Sequence, residues 1–200
     1  MKRTILLALL AAGALSAQAA LKIGDKMPAT DVKLAGADGK ETTLAELKGD
    51  KGTLVVVTCN GCPYAIAWES RIVALGNSCR EKGIGVVAVN PNDPAISPGD
   101  SPSKTQARAK NAGFEFPYVT DSSQAVTRDL GAGHTPECYL FDKDGALVYH
   151  GAVDDNHKDA AKVERHFLKD ALDALVAGKP VLLSETKAIG CSVKYRQPAQ

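Results

Sequence analysis

The sequence predicts a single α/β domain whose central mixed β-sheet is flanked by helices and carries an N-terminal hairpin and an inserted loop-helix segment. Two observations lead to this prediction. Two near-continuous apolar runs, Thr53–Thr58 and Ile84–Val89, are separated by a helix-length segment, an order typical of parallel strands buried on both faces. Farther on, the turn Asp142–Gly145 joins two strand-like segments, Cys138–Asp142 and Ala146–Ala152, which indicates an antiparallel edge.

The composition is that of one folded domain with a near-neutral charge. The chain has 200 residues, of which 44% are hydrophobic and 24% charged, so it can bury one full core. Lys and Arg number 24 against 23 Asp and Glu, a net charge of +1. This balance provides no electrostatic basis for binding nucleic acid or anionic lipid.

The N-terminus has the pattern of a secretory signal peptide at residues 1–19. Lys2 and Arg3 precede the apolar stretch Ile5–Leu15, and Ala17-Gln18-Ala19 has the small residues that precede a cleavage site. A membrane anchor is the alternative, but the stretch is shorter than the roughly 20 residues needed to span a bilayer. We therefore expect a periplasmic or secreted protein, without stable membrane insertion, in a compartment where thiols are oxidised.

The mature chain is predicted to form one domain over residues 20–180 and a tail of uncertain structure over 181–200. Its first elements are a hairpin, with strands Asp31–Leu34 and Glu41–Thr43 around a glycine-rich turn, and a short helix at Leu44–Leu47. After the first buried strand, a helix is expected from Pro63 to Lys82, because Gly83 follows it as a helix terminator.

The second half of the chain is predicted to alternate loops, helices and edge strands. The proline-rich stretch Asn90–Ser103 indicates a loop, followed by a short inserted helix at Lys104–Ala112. A strand at Tyr118-Val119 and a helix around Ser123–Leu130 come next. The last helix shows an apolar stripe at helical spacing; we expect Asn156 to cap its start, and its end to lie at Gly178-Lys179-Pro180.

A pair of cysteines lies where the first buried strand meets the first long helix. The motif is Cys59-Asn60-Gly61-Cys62-Pro63. Free backbone N–H groups at a helix N-terminus stabilise a thiolate, so this position predicts a nucleophilic Cys59 and a Cys62 that resolves the mixed disulfide. The alternatives are an inert structural disulfide and half of a zinc site, and the sequence has no second cysteine-histidine pair to complete the latter.

Three further cysteines lie outside this motif. Cys79 near the end of the helix and Cys138 within a strand are most simply small buried hydrophobic residues. Cys191 lies in the tail, where it can pair with another cysteine or act as a third redox thiol, and the sequence alone does not choose between these roles.

The mature chain resembles the thioredoxin-like superfamily, and within it the peroxiredoxin-like redoxins related to alkyl hydroperoxide reductase and thiol-specific antioxidant proteins that carry a C-x-x-C motif. The resemblance rests on the following residues and segments: Gly39-Lys40, Leu44, Leu47-Lys48-Gly49, Cys59–Tyr64, Asn90-Pro91-Asn92-Asp93, Thr135-Pro136, Tyr149-His150-Gly151, Asp154-Asp155-Asn156 and Gly190–Lys194. It implies a thioredoxin-like fold in which Thr135 and Pro136 face the active disulfide, with Pro136 in the cis form. A cis bond there leaves the preceding backbone free to pair with an extended substrate segment.

The chain also departs from the patterns of its relatives. The tryptophan that thioredoxins place before the first cysteine is Thr58 here, and Trp68 is expected to be a packing residue. Thioredoxins have a buried carboxylate where this chain has Thr53. Glu137 and Glu69 are the candidate substitutes, although we expect both to be solvated surface carboxylates.

The function predicted from these residues is thiol-disulfide exchange through Cys59 and Cys62, with Thr135 and Pro136 completing the catalytic site. Its partners would be protein or small-molecule disulfides and a redox partner protein, and we expect no cofactor and no metal. One alternative is an antioxidant thiol peroxidase, although the Pro and Thr of a peroxidatic motif are missing. The other is a Cu(I) chaperone using Cys59, Cys62 and His134, although copper-delivery relatives keep three residues between their cysteines.

Overall fold

A computed structural model describes residues 21–36 and 39–197. The predicted signal peptide and the centre of the hairpin turn lie outside these residues. The strands are Leu34–Ala35 (β1), Glu41–Thr42 (β2), Gly52–Val57 (β3), Ile84–Asn90 (β4), Tyr118–Thr120 (β5), His134–Thr135 (β6), Glu137–Asp142 (β7), Leu147–Gly151 (β8) and Cys191–Ser192 (β9). The α-helices are Pro63–Cys79 (α1), Pro102–Ala112 (α2), Ala125–Asp129 (α3) and Phe167–Val176 (α4), and short 3₁₀ helices form at Arg80–Lys82, Pro98–Asp100 and Ala160–Lys162.

Seven strands form one mixed sheet, which confirms the predicted fold class. Their order is β2-β1-β5-β4-β3-β7-β8. Strand β4 lies parallel to both β3 and β5, whereas β7 and β8 add an antiparallel edge. The central position of β3 explains why its sequence is apolar except for Thr53, since a strand covered on both faces has no polar side to present.

The residues of β3 alternate between two cores on opposite faces of the sheet. Val55 and Val57 pack on one face, in the same core as Val126 of α3. Leu54 and Val56 pack on the other, where α1 and α4 contribute side chains that include Trp68 and Leu168. Because α1 is held along its length by this second core, its first turn has a defined position at the end of β3.

Two predicted helical features are wrong. Residues 44–47 form a hydrogen-bonded turn instead of a helix, and it is closed by reciprocal bonds in which Glu46 N–H donates to Thr43 Oγ1 and Thr43 N–H to Glu46 Oε2. Such a pair can close a single turn without a helix following it. Asn156 does not cap α4: its Oδ1 accepts from the N–H groups of Lys158 and Asp159 in a local turn, and α4 begins only at Phe167.

The tail beyond residue 180 packs on the domain. The Ser184 carbonyl accepts from the N–H of His150, and Thr186 N–H donates to the His150 carbonyl, so the tail follows the outer edge of β8. It then crosses to β6, where β9 forms a two-stranded antiparallel sheet. None of the helices among residues 21–36 and 39–197 is long and apolar enough to cross a membrane.

Candidate active site

Both cysteines of the C-x-x-C motif lie at the point where β3 ends and α1 begins. Thr58 N–H still donates to the Val89 carbonyl, and Cys62 is the N-cap residue of α1 with Pro63 in its first turn. Proline is tolerated there because a first-turn N–H has no acceptor within the helix. Both cysteines are thiols and both are buried, Cys59 with 6% and Cys62 with 3% of its surface exposed.

Thr135 contacts both sulfurs. Its Oγ1 lies 3.2 Å from Cys59 Sγ, and its carbonyl oxygen lies 3.0 Å from Cys62 Sγ. The Thr135-Pro136 peptide bond is cis, as the resemblance implies. Thr135 is fully buried. The structure thus brings Cys59 and Cys62, at the junction of β3 and α1, against Thr135 of β6, with Pro136 next to Thr135 in the chain.

Hydrogen bonds favour the negative charge on Cys62. The largest contribution is a hydrogen bond from the Cys59 thiol, and further bonds from Cys191 and from the Ala65 N–H add to it. Together these bonds outweigh the opposing effect of burial and lower the pKa of Cys62 to about 4. The same Cys59–Cys62 hydrogen bond and burial raise the pKa of Cys59, and the nearby Asp100 carboxylate adds to this increase. These contacts favour a thiolate on Cys62, whereas the hydrogen bond that the Cys62 thiol donates to the Thr135 carbonyl favours its protonated form, so the two cysteines share one proton.

A buried polar network below Cys59 was missed in the sequence analysis. Its centre is Asp100, which is 1% exposed and accepts hydrogen bonds from the Asn60 N–H (2.7 Å) and from the side chains of Asn90 (3.0 Å), Asn92 (2.9 Å) and Ser97 (2.6 Å). Burial disfavours ionisation, but these bonds hold the pKa of Asp100 below its usual value. The only sequence signal is that the proline-rich loop carries several short polar residues.

The same network holds the loop between the two cysteines. The side-chain amide of Asn60 donates to the Gly99 carbonyl and to Thr105 Oγ1, and its Oδ1 accepts from the Tyr118 hydroxyl. Every polar group of the Asn60 side chain therefore has a partner. A residue that is variable in a generic C-x-x-C motif here fixes the loop to the inserted segment.

Glu137 is not the surface carboxylate predicted from the sequence. It is 4% exposed and accepts from the N–H groups of Gly133 and His134 (both 2.9 Å) and lies 2.6 Å from His150 Nε2. Burial opposes its ionisation, but the bonds from His150 and from the two amides lower its pKa. Glu137 thus holds the loop that leads into Thr135.

The other acidic candidate and the tryptophan have structural partners. Glu69 is half-buried and forms a bidentate ion pair with Arg108 on α2. Trp68 is 1% exposed and donates from Nε1 to Asp154 (2.8 Å), which also pairs with Arg71. The expectation that Trp68 packs in the core is confirmed.

The remaining cysteines divide into two groups. Cys79 and Cys138 are buried in the core against α1 and α4, and burial raises the pKa of both thiols. Cys191 on β9 packs against Cys59 and Cys62 instead, and its N–H lies 3.4 Å from Cys62 Sγ.

The third residue of the copper alternative lies on an exposed face. The His134 side chain points to solvent from β6, while its neighbour Thr135 is buried against the sulfurs. Within the described ranges, no group of three His, Cys, Asp or Glu side chains is arranged to hold a metal ion.

Comparison with known proteins agrees with this geometry. A curated relative, the thiol-disulfide oxidoreductase ResA of Geobacillus thermodenitrificans, is 26% identical over 157 residues, covering 74% of this chain and 83% of the relative. The crystal structure of an uncharacterised conserved protein from Geobacillus kaustophilus matches with 34% identity and a TM-score of 0.84, over 90% of this chain and 95% of that one. A thioredoxin-like protein solved in its oxidised form has 22% identity and a TM-score of 0.62, over 80% of this chain and 99% of that one, which shows the shared thioredoxin-like fold.

The sequence also matches a protein-family model over most of its length. The matched segment, residues 22–166, contains the cysteine pair, the inserted loop and the loop with the cis bond. The resemblance on which the sequence analysis relied is therefore confirmed, and the chain belongs to the Redoxin family.

Proposed function

We propose that the protein is a thiol-disulfide oxidoreductase in which Cys59 and Cys62 form the exchanging pair. The observation that carries this proposal is the placement of Thr135 against both sulfurs, at 3.2 Å and 3.0 Å, at the N-terminus of α1. The name of the ResA relative supports the same activity. Thr135 positions the two sulfurs, and Pro136 directs the Thr135 backbone toward them.

The reduced pair has one thiolate and one thiol that share a proton. We assign the first attack on a substrate disulfide to Cys59, because it precedes the N-cap of α1 and leaves Cys62 to resolve the mixed disulfide, with the proton of Cys59 passing to Cys62 along their hydrogen bond. A Cys59–substrate disulfide forms and one substrate thiolate leaves. That thiolate takes up the proton of Cys62, and Cys62 then attacks the Cys59 sulfur and releases the second substrate thiolate.

These steps oxidise the pair to a disulfide and deliver two electrons to the substrate, which becomes two thiols after protonation. The reverse sequence oxidises a dithiol substrate. A redox partner protein restores the pair in either direction. The direction of net flow depends on the reduction potential of the pair relative to its compartment.

The proposal is tested by insulin-disulfide reduction with the mature protein and dithiothreitol. The double variant Cys59→Ser, Cys62→Ser is expected to lose the catalysed rate. A matched control, Cys79→Ala, removes a buried thiol outside the site and is expected to retain the rate. Equal rates for the double variant and the unaltered protein would contradict the proposal.

We also infer export from the cell. The support is the N-terminal pattern of Lys2 and Arg3, an apolar stretch and Ala17-Gln18-Ala19, together with five cysteines suited to an oxidising compartment. Expression of the full chain in a bacterium, followed by fractionation and N-terminal sequencing, is expected to yield a periplasmic protein that begins near residue 20. An uncleaved chain in the cytoplasm contradicts this inference.

A further inference from the structure

The C-terminal tail occupies the strand edge beside the two catalytic sulfurs. In the antiparallel pairing of β6 with β9, Thr135 lies opposite Cys191 and His134 opposite Ser192. Directly opposed residues in such a pair share a face of the sheet. Thr135 is buried against the sulfurs and His134 is exposed, so Cys191 faces the sulfurs and Ser192 faces solvent.

The backbone around Cys191 is built for close approach to this edge. A Cβ atom added at Gly190 would lie 2.2 Å from the Thr135 carbonyl oxygen and 2.6 Å from its carbonyl carbon, distances that no real side chain tolerates. Glycine therefore allows the tail to lie directly on the Thr135 backbone. This close contact with the Thr135 backbone defines the position of Cys191, the next residue in the chain.

The residues after Cys191 hold the tail in place. Val193 N–H donates to the Gly133 carbonyl, and the Val193 side chain is buried. Lys194 N–H donates to Asn92 Oδ1 at 2.8 Å, and the Tyr195 hydroxyl to the Ala132 carbonyl at 2.7 Å. Arg196 pairs with Asp93 at 2.7 Å.

Cys191 is in direct contact with Cys62. Its N–H lies 3.4 Å from Cys62 Sγ, and its thiol hydrogen bonds to the Cys62 sulfur. Of the three cysteines outside the C-x-x-C motif, Cys191 alone belongs to the cluster formed by Cys59 and Cys62, and it is the least buried of all five. Cys79 and Cys138 belong to the core on the face of the sheet covered by α1 and α4.

We propose that Cys191 is a third redox-active cysteine, which exchanges disulfide bonds with Cys62. This proposal rests on the proposed function of the Cys59/Cys62 pair. In the oxidised protein, the Cys191 sulfur loses its proton and attacks Cys62 Sγ; the Cys59–Cys62 bond breaks, the Cys62–Cys191 bond forms, and Cys59 leaves as a thiolate that takes up a proton. The exchange is internal and needs no additional oxidant. Cys62 keeps its end of the disulfide, and the other end passes from the buried Cys59 to the partly exposed Cys191.

A Cys59→Ser variant isolates the proposed bond, because it leaves Cys62 with Cys191 as its only neighbouring thiol. The reduced variant is oxidised with glutathione disulfide, blocked with an alkylating agent and digested with trypsin. Cleavage after Lys51, Arg71, Lys187 and Lys194 yields peptides 52–71 and 188–194, which contain Cys62 and Cys191. We expect these two peptides to be joined in most molecules, with Cys79 and Cys138 alkylated.

The matched control moves the thiol by one residue along the same strand. The triple variant Cys59→Ser, Cys191→Ser, Ser192→Cys keeps the number of cysteines of the Cys59→Ser variant, but it directs the tail thiol to the solvent face. We expect it to lose the link between the two peptides. In the unaltered oxidised protein, we expect a mixture: some molecules have the Cys59–Cys62 disulfide within peptide 52–71, and others have peptides 52–71 and 188–194 joined.

The outcomes separate this proposal from the proposed function. If the Cys59→Ser variant forms no Cys62–Cys191 bond while the unaltered protein forms the Cys59–Cys62 disulfide and reduces insulin, the third-cysteine proposal is wrong and the proposed function stands. An equal yield of linked peptides from the triple variant also overturns it, because nonspecific oxidation would then explain the link. If the unaltered protein neither forms the Cys59–Cys62 disulfide nor reduces insulin, the proposed function itself fails.

Discussion

Replacing Asp100 with asparagine is expected to destabilise the protein strongly, because one buried carboxylate accepts four hydrogen bonds. The Asn60 N–H and the Asn90 amide donate to Oδ1, whereas the Asn92 amide and the Ser97 hydroxyl donate to Oδ2. Asparagine has a single acceptor oxygen. An Asp100→Asn side chain with its oxygen at the Oδ1 position therefore turns an NH₂ group toward the two donors that bond to Oδ2.

The magnitude follows from the groups that lose a partner. The Ser97 hydroxyl can rotate to accept, but the Asn92 amide cannot, so the Asn92 N–H and one N–H of the new amide are left unpaired. Each unsatisfied buried polar group costs about 1–3 kcal/mol, so the two together lower the free energy of unfolding by roughly 2–6 kcal/mol at neutral pH. Urea unfolding of the reduced protein measures this difference, provided that the slope of the transition is unchanged.

The loss of unfolding free energy caused by Asp100→Asn is also expected to depend on pH. Because the folded-state pKa of Asp100 is lowered, its carboxylate contributes stability above the unfolded-state value and loses that contribution as pH falls through the folded-state value. The difference between Asp100→Asn and the unaltered protein should therefore narrow below about pH 4. The exposed Asp144→Asn is the matched control and should change stability little. If Asp100→Asn behaves like this control, or if its deficit is the same in acid and at neutral pH, the reasoning is refuted.

Three further predictions concern the site and its supports. With a pKa of about 4, Cys62 should give an ultraviolet thiolate absorbance in mildly acidic solution that disappears in Cys62→Ser; a band that forms only in alkali contradicts this. Glu137→Gln weakens the bonds to His150 and the loop before Thr135, and urea unfolding should show a loss of roughly 1–3 kcal/mol, whereas an unchanged midpoint contradicts it. Gly190→Ala, introduced into the Cys59→Ser variant, should lower the yield of linked peptides, because its Cβ displaces the tail; an unchanged yield contradicts this explanation.

The elements that the sequence predicts well are those with a strong periodic pattern and a clear end. Strand β3 has apolar residues on both faces. Helix α1 begins at Pro63, directly after Cys62, and continues as a 3₁₀ turn that ends at Gly83, which has a left-handed φ of 77°. The errors lie where a local hydrogen bond competes with a helix. Thr43 and Asn156 both have side chains that bond to nearby backbone, and each closes a turn where a helix start is predicted.

The cysteine pair could be predicted because residue type and neighbouring elements define it locally, whereas the cis bond is implied only by the resemblance to the thioredoxin-like superfamily. The buried state of Glu137 could not, because its partners are backbone amides and a histidine on the next strand. The network around Asp100 has the same origin. Its members come from the cysteine loop, the end of β4 and the inserted segment, and only the folded chain brings their polar groups together.

The position of Cys191 is the least predictable feature of the site, and the reason is physical. Its contact with Cys62 spans 129 residues, and the strands that create it, β6 and β9, have two residues each. A two-residue strand has no periodicity to detect, and so short a ladder adds little stability of its own. The tail is held instead by Gly190 on one side and by the bonds of Val193 and Lys194 on the other. Cys191 thus lies between two anchors, and its contact with Cys62 follows from them without a strong interaction of its own.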